Sequence, residues 1–134
     1  MTTEITTFTI VLEGLLYRIM VDIKERADIE KLVNTFYDKV LKDAVLSPFF
    51  KHLNFQAHLP KMVHFWSFVL LDEAGYTTDV TKKHLHMPLK KEHFDQWISL
   101  FNETVDELFA GERAELAKQR AFLIRWTIES KIGE

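Results

Sequence analysis

No cysteine occurs in the 134 residues. Disulfides, thiolate-held metals, iron–sulfur clusters, cysteine nucleophiles and thioether-linked cofactors are therefore excluded. Any metal must be held by His or carboxylate, or arrive inside a cofactor. Glycine (4) and proline (3) are scarce, so the chain has few breaks and favours helices. Positive charge is not in surplus either. The net charge is −3, the pI about 6.1, and Lys and Arg are scattered, so nothing here calls for nucleic acid as a partner.

Long uninterrupted apolar runs are also missing. The first residues, "MTTEITTFTIVLEGLLYRIMV", are broken by Glu13 and Arg18, have no basic leading region and show no small-residue cleavage site. They read as neither signal peptide nor membrane span, and a cytoplasmic location is expected. Residues 1–19 read as an N-terminal extension and 20–134 as one domain, because the length suits a single core.

What the chain does have is aromatic bulk. Eleven Phe and three Trp are more than helix packing alone needs. In residues 28–42, "DIEKLVNTFYDKVLK", Asp28 is a plausible cap, and Ile29, Leu32, Val33, Phe36, Tyr37 and Val40 fall on one helical face. Pro48 then breaks the pattern ahead of Phe49 and Phe50. Residues 55–71 resume it, with Pro60 tolerable in a first turn and His58, Met62, Phe65, Trp66 and Val69 on one face. Residues 92–109 carry the clearest stripe: Phe94, Trp97, Ile98, Phe101, Val105 and Leu108. Gly111 marks a stop, and a last helix over about 112–131 turns Leu116, Leu123, Ile124 and Thr127 inward. Strand alternation and internal repeats do not appear. The expectation is an all-α fold of about five helices.

Residues 72–91, "DEAGYTTDVTKKHLHMPLKK", hold at most one short helical turn, and a loop that long in a small domain is usually functional. On a helix His84 and His86 would point about 200° apart and could not share an ion; on a strand they could. One His presented toward an aromatic cavity instead suits a haem iron, which needs a single neutral imidazole. A solvated or capping loop His is the plainer alternative. Tyr37, His58 and Trp97 each place a hydrogen-bonding group inside an apolar stripe, on three different helices. Unpaired burial of such a group costs about 1–3 kcal/mol, so each needs a partner. Each alone fits a satisfied core residue; together they fit a small polar spot that donates to a bound ligand. His52, His64 and His93 read as solvated. Phosphate loops, nucleophile elbows and the His and Glu spacings of zinc and di-iron sites are missing.

Taken in order, "IEKLVNTFYDKVLKDAVLSPFF", "HLPKMVHFWSFVLL" and "KKHLHMPLKKEHFDQWISLF" resemble the group III truncated haemoglobins over about residues 21–130. "KKHL", then "MPL" and a Trp thirteen residues after the His, is the most telling piece. The resemblance implies a two-over-two helical globin around one non-covalent b-type haem, with His84 as the proximal iron ligand and His86 a neighbour. It implies Tyr37, His58 and Trp97 as distal residues and Phe50 as a wedge against the porphyrin. Met62, Phe65, Trp66 and Phe94 would line the haem, and Lys61 would reach a propionate. The chain departs from the pattern in its Met87-Pro88-Leu89-Lys90 turn, where a second Pro or an aromatic is frequent, and in its longer N-terminal extension. The implied role is binding O2, NO or CO, as in oxygen transport. The alternatives are a haem enzyme that dioxygenates NO or reduces peroxide, with a reductase as partner, and a cofactor-free helical interaction module.

Overall fold

The computed structural model describes residues 20–75, 82, 84, 85 and 87–132. Among them are four α-helices and a 3-10 turn, with no strand. The extension expected over residues 1–19 lies outside the described residues, as does His86.

Helix α1, Arg26–Lys42, buries Ile29, Leu32, Val33, Phe36, Tyr37 and Val40, the stripe its spacing predicts. It starts two residues earlier than expected. Asp28 sits inside the first turn rather than before it, and its Oδ2 accepts the backbone N–H groups of Lys24 (2.9 Å) and Glu25 (3.1 Å). That satisfies donors at the entry to the helix and puts a carboxylate at its positive end. Pro48 follows in a 3-10 turn, Ser47–Phe49, where the missing N–H is not needed.

Helix α2, Phe55–Leu71, has the expected limits but divides its apolar residues differently. Val63, Trp66, Ser67 and Leu70 are buried, whereas His58, Met62, Phe65 and Val69 are only half-buried at the edge of the core. Of the face expected to pack inward, Trp66 alone is fully covered. Pro60 is the sixth helical residue, not part of the first turn, so the Gln56 carbonyl lacks its usual helical donor. The helix ends at Asp72 in the left-handed region, φ 56°.

Helix α3, Lys91–Leu108, buries Phe94, Phe101, Thr104 and Val105. Trp97, Ile98 and Leu108 pack against the core while partly exposed. His93, expected in solvent, is bound at the start of this helix: its Nδ1 accepts the Lys90 N–H at 2.8 Å, and its ring meets Phe49 edge-on at 4.7 Å.

Helix α4, Glu112–Ile132, corrects the expected inward face. Ala114, Ala117, Ala121 and Ile128 are buried. Leu116 and Ile124 are partly buried against the core, whereas Leu123 is exposed and the Thr127 hydroxyl donates to the Leu123 carbonyl at 2.8 Å. Small alanines let α3 and α4 approach closely, so bulk was the wrong guide to the seam. The first turn is capped from far away: Asp22 accepts the N–H groups of Arg113 and Ala114, both at 2.9 Å.

The helices form two pairs, α1 with α2 and α3 with α4. α1 also lies on α3, and α2 reaches α4. Lys39 bonds Glu107 at 2.7 Å between α1 and α3, and Lys118 bonds Asp106 at 2.7 Å between α4 and α3. Both pairs are at the surface, where each contributes at most about 1 kcal/mol. Arg125 of α4 also bonds Asp95 of α3. Cohesion comes mainly from the apolar interior. No helix among the described residues is long and apolar enough to cross a membrane.

Candidate functional site

Phe36 organises the aromatic centre. Its ring meets Tyr37 at 5.3 Å, Trp97 at 5.9 Å and Phe101 at 5.3 Å, all edge-on. Phe101 in turn stacks on Trp66 at 4.9 Å and on Trp97 at 5.7 Å. Edge-to-face and offset contacts of this kind add about 0.5–1.5 kcal/mol each beyond area burial. Nothing in the sequence marks Phe36 for this role, because it sits within an ordinary apolar stripe.

On one side of that centre is a polar pair. His58 Nε2 lies 3.2 Å from the Tyr37 hydroxyl, one donating and the other accepting according to the His58 tautomer. Three aromatic contacts hold them: Tyr37 against Phe50 at 5.8 Å, Tyr37 against Phe55 at 5.9 Å, and the His58 ring edge-on to Tyr37 at 5.4 Å. Phe55 is a second residue missed in the sequence; it opens α2 one turn before His58, and that spacing was the available signal. The structure thus brings Tyr37, His58 and Phe50 together. Trp97 joins them through Phe36.

The other candidates are placed as follows. Trp66 and Phe94 are buried, Met62 and Phe65 are half-buried, and Lys61 is exposed. His84 is half-buried in helical conformation, and its carbonyl accepts the Met87 N–H at 3.1 Å. Among the described residues no three His, Asp or Glu side chains gather to hold an ion.

Helices α2 and α3 meet through side chains rather than backbone. No Cα of α2 comes within 8 Å of one of α3, and the stacked rings of Trp66 and Phe101 bridge the interval. Along α2, His58, Leu59, Met62, Phe65 and Val69 remain half-buried. An apolar edge with a polar pair at one end suits a flat, mostly apolar cofactor.

Two packed helix pairs around an aromatic centre make an all-α fold of the globin kind. Comparison with known proteins agrees: the bacterial-like globin family matches residues 22–126. A relative, the group 3 truncated hemoglobin ctb of Campylobacter jejuni, is 35% identical over 103 residues, covering 72% of this chain and 81% of its own. The crystal structure of a group III truncated hemoglobin from Campylobacter jejuni superposes with a TM-score of 0.77 at 30% identity, covering 84% of this chain and 94% of that one. Chlamydomonas reinhardtii THB4 shares the fold, with a TM-score of 0.64 at 22% identity over 81% and 93% of the two chains. The chain belongs to the bacterial-like globin family, as a truncated haemoglobin of group III. Membership supports a haem-binding globin.

Proposed function

We propose that this chain holds one non-covalent b-type haem through His84 and binds O2 and other diatomic gases, NO and CO, beside Tyr37, His58 and Trp97. The observation that carries this is the half-buried edge of α2, with Met62 and Phe65 beside the Tyr37–His58 hydrogen bond. The haem would supply the iron that takes the gas and any exchange of electrons. The rest is the work of side chains. Met62, Phe65, Trp66 and Phe94 exclude water, Phe50 presses from beside Tyr37, and Lys61, at the exposed rim, reaches a propionate. Tyr37 offers an O–H and Trp97 an indole N–H to the ligand, while His58 fixes the direction of the Tyr37 hydroxyl.

A catalytic reading, NO dioxygenation or peroxide reduction with electrons from a reductase, is favoured by the same pair. A hydroxyl and an imidazole in direct contact can hold a proton at His58 Nε2 and return it through Tyr37. The cytoplasm is the proposed location, as expected from the sequence.

The absorption spectrum of the purified protein tests the reading. An intense Soret band that shifts on adding CO is expected. A protein that takes up no haem when haem is supplied would leave Tyr37, His58 and Trp97 as core residues of a cofactor-free interaction module.

A further inference from the structure

Three successive residues of α3 are held by different parts of the fold. The Asp95 carboxylate takes Arg125 of α4 and, at 3.0 Å, Lys91 of its own helix. Gln96 Nε2 donates to Asp43 Oδ1 at 2.6 Å, directly after the end of α1. Trp97 meets Phe36 of α1 edge-on at 5.9 Å and stacks on Phe101 at 5.7 Å. Neighbours in a helix point about 100° apart, so these contacts brace α3 from several sides at one level. Rotation of α3 about its own axis would swing the indole of Trp97, and the bonds at Asp95 and Gln96 oppose it.

The bond at Gln96 has the more committed partner. Asp95 is shared between Lys91 and Arg125, and Arg125 also reaches Glu129 at 3.4 Å. Asp43 is itself fixed in place. Its Oδ2 accepts the N–H groups of Val45 (3.1 Å) and Leu46 (2.9 Å), and its carbonyl accepts the Ser47 N–H at 2.9 Å. That is the entry to the Ser47–Phe49 turn, and Phe50 beyond it packs on Tyr37 at 5.8 Å. One carboxylate therefore ties together the three elements that carry Tyr37, Phe50 and Trp97. An apolar pair of the same size would also hold α1 against α3, but a short bond to a carboxylate adds direction.

We propose that Asp43 and Gln96 are positioning residues, whose bond aims the indole N–H of Trp97 at the ligand site. The proposal rests on the reading above in which Trp97 donates to a bound gas. Gln96→Leu removes the donor at similar size. In the haem-loaded protein it should speed O2 dissociation about threefold or more and change CO dissociation little, because a misdirected donor weakens steeply with angle. The C–O stretch of the CO complex, which senses a nearby N–H, should shift in parallel. In a Trp97→Phe background Gln96→Leu should add almost nothing, as for residues that act through one another. Gln96→Glu sets two carboxylates face to face and should act like Gln96→Leu. Adding Asp43→Asn to it reverses the bond: the introduced amide donates to the introduced carboxylate and keeps its oxygen for the Val45 and Leu46 N–H groups. Both readouts should then return toward those of the parent protein. An acceleration that persists in the Trp97→Phe background, or that Asp43→Asn does not reverse, reflects general loosening and overturns the proposal. So does an inert Gln96→Leu where Trp97→Phe acts, which would leave Trp97 a donor aimed by other contacts. If Trp97→Phe itself changes nothing, the donor reading falls and the proposal with it.

Discussion

Tyr37 and His58 share one hydrogen bond, 3.2 Å between the hydroxyl oxygen and Nε2, although they belong to different helices. If His58 donates, the Tyr37 hydroxyl accepts and its own proton is directed elsewhere; if Tyr37 donates, that proton goes to His58. The His58 tautomer therefore sets what the site offers.

On the proposed function, Tyr37→Phe removes a donor without removing the ring that packs on Phe50 and Phe55. Loss of a hydrogen bond of about 1.5–3 kcal/mol to a partly charged acceptor should speed O2 dissociation roughly 10- to 150-fold. Trp97→Phe should act in the same direction. CO, less polar when bound, should respond far less. Stopped-flow dissociation rates check this, and equal effects on O2 and CO would point to steric control instead.

His58→Leu removes the partner of the Tyr37 hydroxyl while keeping apolar bulk at the mouth of the half-buried edge. A gate changes association and dissociation together, whereas a donor changes dissociation alone. His58 is expected to act as a gate, with its replacement shifting CO association in flash photolysis. An unchanged CO association rate would remove it from that role.

His84→Gly should greatly weaken haem retention, and added imidazole should restore much of it, because one neutral ring nitrogen is the proposed attachment. His86→Gly should leave haem content nearly intact. Haem content by the pyridine haemochrome assay separates the two, and the reverse result would move the ligand to His86.

The Asp22 carboxyl titrates below its ordinary value. Burial pulls it upward, but the N–H groups of Arg113, Ala114 and Ile23 and the Arg113 guanidinium outweigh that. With the folded value depressed, the stabilisation is present above the unfolded carboxylate pKa and is lost as pH falls through the folded one. Asp22→Ala should therefore cost about 1–2 kcal/mol near neutral pH, as for other helix caps. The gap from the parent protein should narrow below about pH 4, where carboxylates protonate. Urea unfolding at both pH values measures it, and a gap that does not change with pH would refute the electrostatic account. Gly111→Ala should destabilise too. At φ +145° a Cβ there would come within 2.5 Å of the Asp22 carboxyl carbon.

Much of the fold could be read from large apolar residues at helical spacing. The α1 stripe, with Tyr37 in it, needed nothing more. Helix α4 was misread because alanines make its seam and bulky Phe122, Leu123 and Trp126 do not. In α2, periodicity found the apolar residues but not the split between those in the core and those left half-buried. A face toward a cofactor and a face toward a neighbouring helix look alike in a sequence. His93 looked solvated because its acceptor role depends on where α3 begins. Tyr37 and His58 stood out as polar groups in apolar stripes, and the structure joins them directly; their link to Trp97 through Phe36 required the fold.

The cap that Asp22 places on α4 has a bearing on the order of assembly. It joins positions 91 and 92 residues apart, so the first turn of α4 cannot be satisfied until both have reached their native positions. Closing so long a loop comes late, after the local helices have formed. Removing the Asp22 carboxylate should then hardly slow refolding and should chiefly hasten unfolding, which places this contact after the folding transition state.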